Sequence, residues 1–235
     1  MMRAAACALL MTAALLPAQT REFLPMSVWY GGGKARAPML EAGARGKKEL
    51  WRKDVKQIKA LGFNTLRTWI DWATGEPREK QYNFETLDVL LELAEEEGLR
   101  VLVQVYMDSA PQWVGEKYPD SLYVSSGGEV IRPESSPGYC RDHAGVRAVD
   151  NAFYAALAAR AKKSPAFLGW DLWSEPHVIN WANPTSIARP EFCYCRHTQA
   201  RFRAWLQKKY GTLDKLNEAW YRRFARWDQV EPSRL

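Results

Sequence analysis

The sequence predicts an α/β fold in which helices wrap a parallel sheet, with the topology of about the first half of a (β/α)8 barrel. The first observation is alternation, because short β-branched runs recur between segments whose apolar residues have helical spacing. The second is that tryptophans and acidic residues follow the predicted strands, where such barrels build their active sites. The third is length, because four such units account for most of the 235 residues, whereas a complete barrel takes about 250.

The predicted elements follow one another in a regular order. Strands are predicted over 24–30, 63–70, 99–107 and 166–173, and helices over 47–62, 83–98, 145–163 and 196–211. The first helix has apolar residues at helical spacing, namely Leu50, Trp51, Val55, Ile58 and Leu61. It ends on Gly62, and glycine favours a helix C-terminus. The third strand, LRVLVQVYM, has the continuous apolar character of a strand buried in a parallel sheet.

A dinucleotide-binding fold is the main alternative for a parallel sheet. It would carry a GxGxxG turn between its first strand and helix, whereas residues 30–38 read YGGGKARAP. The net charge of +6 is modest, and the basic residues are spread along the chain. This distribution disfavours a nucleic-acid partner. The 11 tryptophans suit either a core or a site for flat apolar faces such as sugar rings.

The first 19 residues are expected to be a signal peptide, followed by a folded region over residues 20–235. Arg3 provides the positive charge, and the apolar stretch 4–16 is too short to span a bilayer. Pro17 and Ala18 suggest cleavage near residue 18 or 19. A buried N-terminal helix is the alternative. No later segment is long and apolar enough for a membrane span, so we expect a secreted or periplasmic protein without a membrane partner.

The stretch LGWDLWSEPHVIN, residues 168–180, contains the leading catalytic candidate. A strand-like run precedes Glu175, Pro176 follows it directly, and tryptophans lie on both sides of it in the sequence. Burial raises the pKa of a carboxyl group, and a carboxylic acid that stays protonated near neutral pH can donate a proton to a leaving group. An exposed loop glutamate is the alternative interpretation.

Several segments resemble, in order, the catalytic barrel of glycoside hydrolase family 42, the β-galactosidase-like family. They are LGFNTLRTWIDW (61–72), APQWVGEKYPD (110–120), SPAFLGWDLWSEP (164–176) and FCYCRHTQARFRAWLQKKYGTLDKLNEAW (192–220). The resemblance implies a retaining hydrolase of β-galactosides or oligosaccharides, with Glu175 as general acid/base and no cofactor for catalysis. Its nucleophile glutamate is expected beyond this sequence, so we expect a catalytically incomplete chain. A non-catalytic carbohydrate-binding protein or a degenerate fragment is the alternative.

The resemblance implies that Arg67 and Ser174 lie at substrate-contacting positions. Trp69 and Trp113, as aromatic residues, and His177, two positions after Glu175, are further candidates for contacts with substrate. The arginine would bond a hydroxyl or hold a carboxylate, with a structural ion pair as the alternative. Ser174 stands where related enzymes usually have asparagine, so a contact with the sugar 2-hydroxyl would be lost or carried by water. The two tryptophans would stack on sugar faces or pack in the core.

Three cysteines follow the predicted signal peptide, namely Cys140, Cys193 and Cys195. Some members of the family bind a structural zinc through four cysteines, and these three match, while Thr198 stands at the fourth position. His197 is the candidate substitute, because structural zinc takes four nitrogen or sulfur ligands. A disulfide from Cys140 to one of the other two is the alternative.

The sheet of a half barrel has an open edge, which favours pairing with another chain and is consistent with a homo-oligomer.

Overall fold

The computed structural model describes residues 23–33, 40–133, 137–172 and 191–233. Its strands are Ser27–Trp29 (β1), Thr65–Asp71 (β2), Arg100–Tyr106 (β3), Tyr123–Val124 (β4), Val130–Ile131 (β5) and Phe167–Asp171 (β6). Its helices are Lys48–Ala60 (α1), Trp72–Gly75 (α2), Glu85–Glu96 (α3), Gln112–Lys117 (α4), Ala144–Ala161 (α5), Arg196–Tyr210 (α6) and Leu213–Trp220 (α7), with short 3-10 helices at Ala44–Lys47 and Trp227–Gln229. Within these ranges, no helix combines the length and apolarity needed to cross a membrane.

The main sheet has four parallel strands in the order β1-β2-β3-β6. Each strand of this sheet lies beside the main-sheet strand that precedes it along the chain. The helices α1, α3 and α5 lie in the three connections between these strands. This is the connectivity of successive units of a (β/α)8 barrel. The fold class predicted from the sequence is therefore confirmed. The strands β4 and β5 form a separate antiparallel pair.

One face of the sheet is buried beneath the helices. In β2 this face carries Leu66 and Ile70, and in β3 it carries Val101 and Val103, all four inside the main core. The helices contribute apolar stripes to the same core, including Trp51 and Val55 from α1, Leu87, Leu90 and Leu93 from α3, and Phe153 and Leu157 from α5. Burying each such side chain stabilises the fold by about 1.5–3 kcal/mol. The helices are therefore fixed on one side of the sheet, and the other side is available for a site.

A bulge in β6 decides which of its side chains reach that other side. The pairing between β3 and β6 shifts register between Val101 and Leu102, so that Val101 pairs with Phe167 while Gln104 pairs with Asp171. Phe167 consequently packs against the main core. An extra residue in one strand re-aims the side chains beyond it. After the bulge, Asp171 occupies the face opposite the helices.

The C-terminal helices form a small unit with its own core. Leu206, Leu216 and Val230 are completely buried there, away from the main core. Backbone hydrogen bonds join the segment before α6 to β4 and to the turn that follows it. Tyr194 N–H donates to the Val124 carbonyl at 2.8 Å, and Ser126 N–H donates to the Glu191 carbonyl at 2.9 Å. The unit is thus attached to the sheet body through the segment that contains two of the cysteines.

Candidate functional site

The face of the sheet opposite the helices, here called the inner face, carries a layer of polar and aromatic side chains. It comprises Trp29 from β1, Arg67 and Trp69 from β2, Gln104 and Tyr106 from β3, and Asp171 from β6. The strand register aligns Trp69 with Gln104 and Gln104 with Asp171 across three neighbouring strands. Because side chains alternate along a strand, these residues share one face while the core residues share the other.

Arg67 binds Asp171 across the inner face. Its Nε donates a hydrogen bond to Asp171 Oδ2 at 2.6 Å, and one terminal nitrogen contacts the same oxygen. The guanidinium carbon also lies 3.7 Å from the centroid of the Trp29 ring, a cation–π geometry. The ion pair joins β2 to the end of β6, which leads to residues 172–176. The sequence predicts that Arg67 bonds a hydroxyl or holds a carboxylate, but no sequence pattern indicates Asp171 as the partner.

Trp69 lies in the same layer and contacts two aromatic rings. Its ring stacks on Tyr106 with centroids 5.4 Å apart and meets Trp29 edge-on at 5.3 Å. Its indole N–H is buried, and neither that nitrogen nor the side-chain oxygen of Gln104 has a hydrogen-bond partner in the described parts of the chain. Burying a polar group without a partner is costly, so both atoms mark places where a further polar group would bind favourably.

Trp113 lies elsewhere, on α4 after the third strand. Its indole nitrogen donates a hydrogen bond to the Glu76 carbonyl at 3.0 Å, and its ring meets Trp72 edge-on with centroids 6.2 Å apart. The side chain packs against the main core. These contacts favour the packing interpretation of Trp113 over sugar stacking.

Three predicted site residues, Ser174, Glu175 and His177, lie outside the described residues, as does the predicted signal peptide. The described chain leads directly to them, because β6 ends at Asp171. Parallel strands β2, β3 and β6 all end at the same edge of the sheet, where a barrel places its catalytic groups. The catalytic role of Glu175, four positions beyond this strand end in the sequence, stays a prediction.

The three cysteines come together between the sheet body and the C-terminal unit. Their sulfur atoms all lie within 4.8 Å of one another, and those of Cys140 and Cys195 are 3.5 Å apart. All three are free thiols, so the alternative of a disulfide is not realised in this structure. Thr198 joins the cluster, with Oγ1 3.4 Å from the sulfur of Cys140 and 3.5 Å from that of Cys195.

Backbone N–H groups point at two of these sulfurs. Cys193 Sγ accepts from Val124 N–H at 3.5 Å and from Cys195 N–H at 3.4 Å, and Cys195 Sγ accepts from Thr198 N–H at 3.4 Å at the start of α6. Hydrogen bonds from Cys140 and Cys193 lower the pKa of the Cys195 thiol, whereas hydrogen bonding to Cys193 and Cys195 raises the pKa of Cys140. The cluster thus favours thiolate character at the helix N-terminus, where a cysteine is most easily ionised.

His197 belongs to a neighbouring polar cluster. Its Nε2 lies 2.8 Å from Asp120 Oδ2, and the same carboxylate contacts Arg196 and lies 3.3 Å from His143 Nε2. Hydrogen bonds from Arg196 and then His197 lower the pKa of Asp120 to about 2. The structure therefore brings the three predicted cysteine ligands together, but it does not bring His197 into their sulfur cluster. Asp120 was not predicted, because it lies in a turn without any periodic pattern.

Both ring nitrogens of His143 have polar partners. Its Nδ1 accepts hydrogen bonds from the N–H groups of Gly145 at 3.1 Å and Val146 at 3.2 Å, which caps α5. The proton of the neutral imidazole then lies on Nε2, facing Asp120. A metal ion at Nε2 would require the proton to move to Nδ1 and would break this cap, so the cluster of Asp120, His143 and His197 is better suited to docking α6 than to holding a metal.

Comparisons with known proteins agree on one family. The sequence model of glycoside hydrolase family 42, described as beta-galactosidase, matches residues 43–235. Beta-galactosidase BgaA of Planococcus sp. (strain 'SOS Orange') is 34% identical over 190 residues, which cover 78% of this chain and 26% of that protein. Beta-galactosidase bgaB of Geobacillus kaustophilus is 29% identical over 192 residues, with coverages of 79% and 27%.

Solved structures give the same result. The cold-adapted beta-galactosidase from Rahnella sp. R3 has a TM-score of 0.66 at 26% identity, over 80% of this chain and 26% of that chain. A catalytic mutant of Gan42B, a family 42 beta-galactosidase from G. stearothermophilus, has a TM-score of 0.65 at 26% identity, with coverages of 80% and 27%. The chain thus spans about a quarter of the length of these relatives.

Proposed function

Because the chain belongs to glycoside hydrolase family 42, we propose that it supplies the general acid/base, Glu175, of a retaining β-galactosidase. The observation that carries the proposal is the course of β6. This strand is paired in parallel with β3, ends at Asp171 and is held there by Arg67. Four residues of extended chain span at most about 14 Å. We propose that Glu175, four positions beyond Asp171 in the sequence, acts at the carboxyl edge of the sheet, where barrel enzymes place their catalytic groups.

The proposed reaction uses Glu175 twice. Its carboxylic acid first donates a proton to the glycosidic oxygen as the bond to the anomeric carbon breaks, while a second carboxylate attacks that carbon and forms a covalent glycosyl ester. The Glu175 carboxylate then takes a proton from a water molecule, whose oxygen attacks the same carbon and releases the second carboxylate. Two inversions give net retention, and neither step requires a cofactor.

We propose that the second carboxylate is not among these 235 residues and that the chain by itself is catalytically incomplete. Two described acidic residues at the carboxyl edge, Asp71 and Asp171, already accept hydrogen bonds from neighbouring groups. Asp71 accepts hydrogen bonds from the backbone N–H and the hydroxyl of Thr74, and Asp171 is bound by Arg67. A carboxylate whose lone pairs accept such bonds is a weaker nucleophile. No glutamate of the described residues lies directly at the end of a main-sheet strand.

The inner face supplies the proposed sugar-binding wall. Trp69 presents a ring that is already oriented by Tyr106 and Trp29, so stacking on a sugar would cost little side-chain entropy. Ser174 and His177 flank the proposed acid/base in sequence and are proposed as contacts to the sugar hydroxyls. Arg67 acts through Asp171 by fixing the end of β6, the strand that precedes Glu175 in the sequence. The relatives' names support a β-galactoside as the substrate, and the N-terminal pattern supports export.

The proposal is tested with the product of the complete gene, whatever its length. It should hydrolyse an aryl β-galactoside, and proton NMR should show β-galactose as the first sugar released. Inversion at the anomeric carbon would contradict the retaining mechanism. A galactose-induced change in tryptophan fluorescence without any hydrolysis would instead support the carbohydrate-binding alternative, for which the aromatic inner face is also suited.

A further inference from the structure

The net positive charge of the chain is concentrated in its C-terminal unit. Residues 196–235 contain ten lysines and arginines against four acidic residues, which accounts for the whole net charge of +6. Three of these arginines pair with aspartates, namely Arg196 with Asp120, Arg201 with Asp142 and Arg226 with Asp228. Five exposed cations of the unit form no ion pair with any described residue, namely Lys208, Lys209, Lys215, Arg222 and Arg223. The unit therefore presents uncompensated positive charge to solvent, which attracts anions.

Lys209, one of these cations, lies against an exposed aromatic surface on α6. Its Nζ is 5.0 Å from the centroid of the Trp205 ring and 5.3 Å from that of Tyr210. Trp205 is 53% exposed, although its ring stacks on Phe202 with centroids 6.1 Å apart. The rings of Phe202 and Tyr210 both contact Trp220 of α7, and they pack on the small core of the unit. The surface is thus held from beneath, while more than half of one tryptophan remains open to solvent.

An exposed tryptophan beside an unpaired ammonium group suits a sugar ring that carries a carboxylate. The ring stacks through its apolar face on the indole, and the carboxylate pairs with the ammonium group. A membrane surface fits less well, because an interfacial helix needs a large apolar face. Apart from Trp205, the exposed residues of α6 are charged, polar or alanine. A single-stranded nucleic acid stacks its successive bases on several rings, whereas α6 exposes one large ring.

We propose that Trp205 and Lys209 form a surface site that binds an acidic polysaccharide built from uronic acids. One uronate ring stacks on the exposed indole, and its carboxylate accepts a hydrogen bond from the Lys209 ammonium group. The other unpaired cations of the unit attract the polyanion without contacts of their own. The site is separate from the inner face, since its rings belong to the small core of the C-terminal unit. It binds the polymer without cleaving it, and its acidic ligand differs from the β-galactoside proposed for the inner face.

The test measures binding of polygalacturonate to the product of the complete gene by isothermal titration calorimetry. We expect binding that weakens by about tenfold or more when the salt concentration rises from about 0.05 M to about 0.5 M, because exposed charges are screened. A neutral galactan, which has no carboxylate, should bind at least about tenfold more weakly. Trp205→Ala should weaken binding of polygalacturonate by about tenfold, whereas Trp205→Phe, which keeps an aromatic ring, should stay within about threefold. The second substitution controls for any effect of the first on folding.

Lysine variants test the charged half of the site. Lys209→Gln should weaken binding by about fivefold or more, and Lys209→Arg should keep most of it. Lys117→Gln is the matched control and should change nothing, because Lys117 also lies over a ring, that of Tyr118 at 5.5 Å, but is already paired with Glu79 at 2.6 Å.

Three results would overturn the proposal. Polygalacturonate does not bind, or Trp205→Ala or Lys209→Gln binds it as tightly as the original protein, or a single-stranded oligothymidylate or anionic phospholipid vesicles bind as tightly as polygalacturonate. Hydrolysis of an aryl β-galactoside should be the same in all these variants as in the original protein. None of the binding results bears on the role of Glu175, so the two proposals can fail separately.

Discussion

Replacing Asp171 with asparagine tests whether the ion pair on the inner face fixes the strand that leads to Glu175. The change keeps the shape of the side chain and removes its charge, which leaves Arg67 over the Trp29 ring without a counter-ion. Opposite unit charges about 4 Å apart attract by about 4 kcal/mol at an effective dielectric constant of 20, before the cost of desolvation. Exposed pairs contribute at most about 1 kcal/mol, whereas removing one partner of a buried pair costs about 3–5 kcal/mol.

The pair in this protein lies between those limits, because the side chains of Arg67 and Asp171 are 26% and 19% exposed. We therefore expect Asp171→Asn to lower the free energy of unfolding by about 2 kcal/mol, measured by urea denaturation followed by tryptophan fluorescence. Asp228→Asn is the matched control, because its pair with Arg226 is largely exposed, and it should cause no measurable change. A loss below about 0.5 kcal/mol in Asp171→Asn would refute the assigned role of the pair.

Two further predictions concern pH and processing. Hydrogen bonds from Arg45 and then Lys48 lower the pKa of Glu92 from 4.5 to about 2, so the charged form stabilises the fold above pH 4.5 and this contribution disappears as the pH falls toward 2. Glu92→Gln should thus slightly lower the melting temperature at pH 7. In thermal scans, the difference in melting temperature from the original chain should shrink below pH 4.5. A difference that does not change with pH would contradict the stabilising role of the Glu92 charge. In a secreting host, N-terminal sequencing of the mature protein should start near residue 19 or 20, and an intact Met1 would contradict the signal peptide.

The elements that the sequence predicted best are those with long, uninterrupted patterns. The helix predicted over 83–98 is found as Glu85–Glu96, and the strand predicted over 99–107 is found as Arg100–Tyr106. Both have the apolar spacing of their class over several residues. The two-residue strands β4 and β5 and the eight-residue helix α7 were not predicted, because so few residues leave little periodic signal.

The candidate site was less predictable, because its contacts join distant parts of the chain. Arg67 and Asp171 are 104 positions apart, and no local pattern indicates that they meet. The bulge in β6 adds to the difficulty, since a shift of one residue changes which side chains reach the inner face. The convergence of the three cysteines was anticipated only through the family resemblance. The position of Thr198 among their sulfurs, and that of His197 beside Asp120, required the structure.

The role of Glu175 as general acid is tested most directly by the dependence of hydrolysis on the leaving group in Glu175→Gln, measured with the product of the complete gene. A general acid matters most when the leaving group is a poor one. We expect the variant to lose at least about a thousandfold in kcat/KM on lactose and far less on an activated dinitrophenyl β-galactoside. Glu218→Gln on α7 is the matched control and should behave like the original protein. An equal loss on both substrates, or no loss on lactose, would contradict the assignment of Glu175 as the general acid.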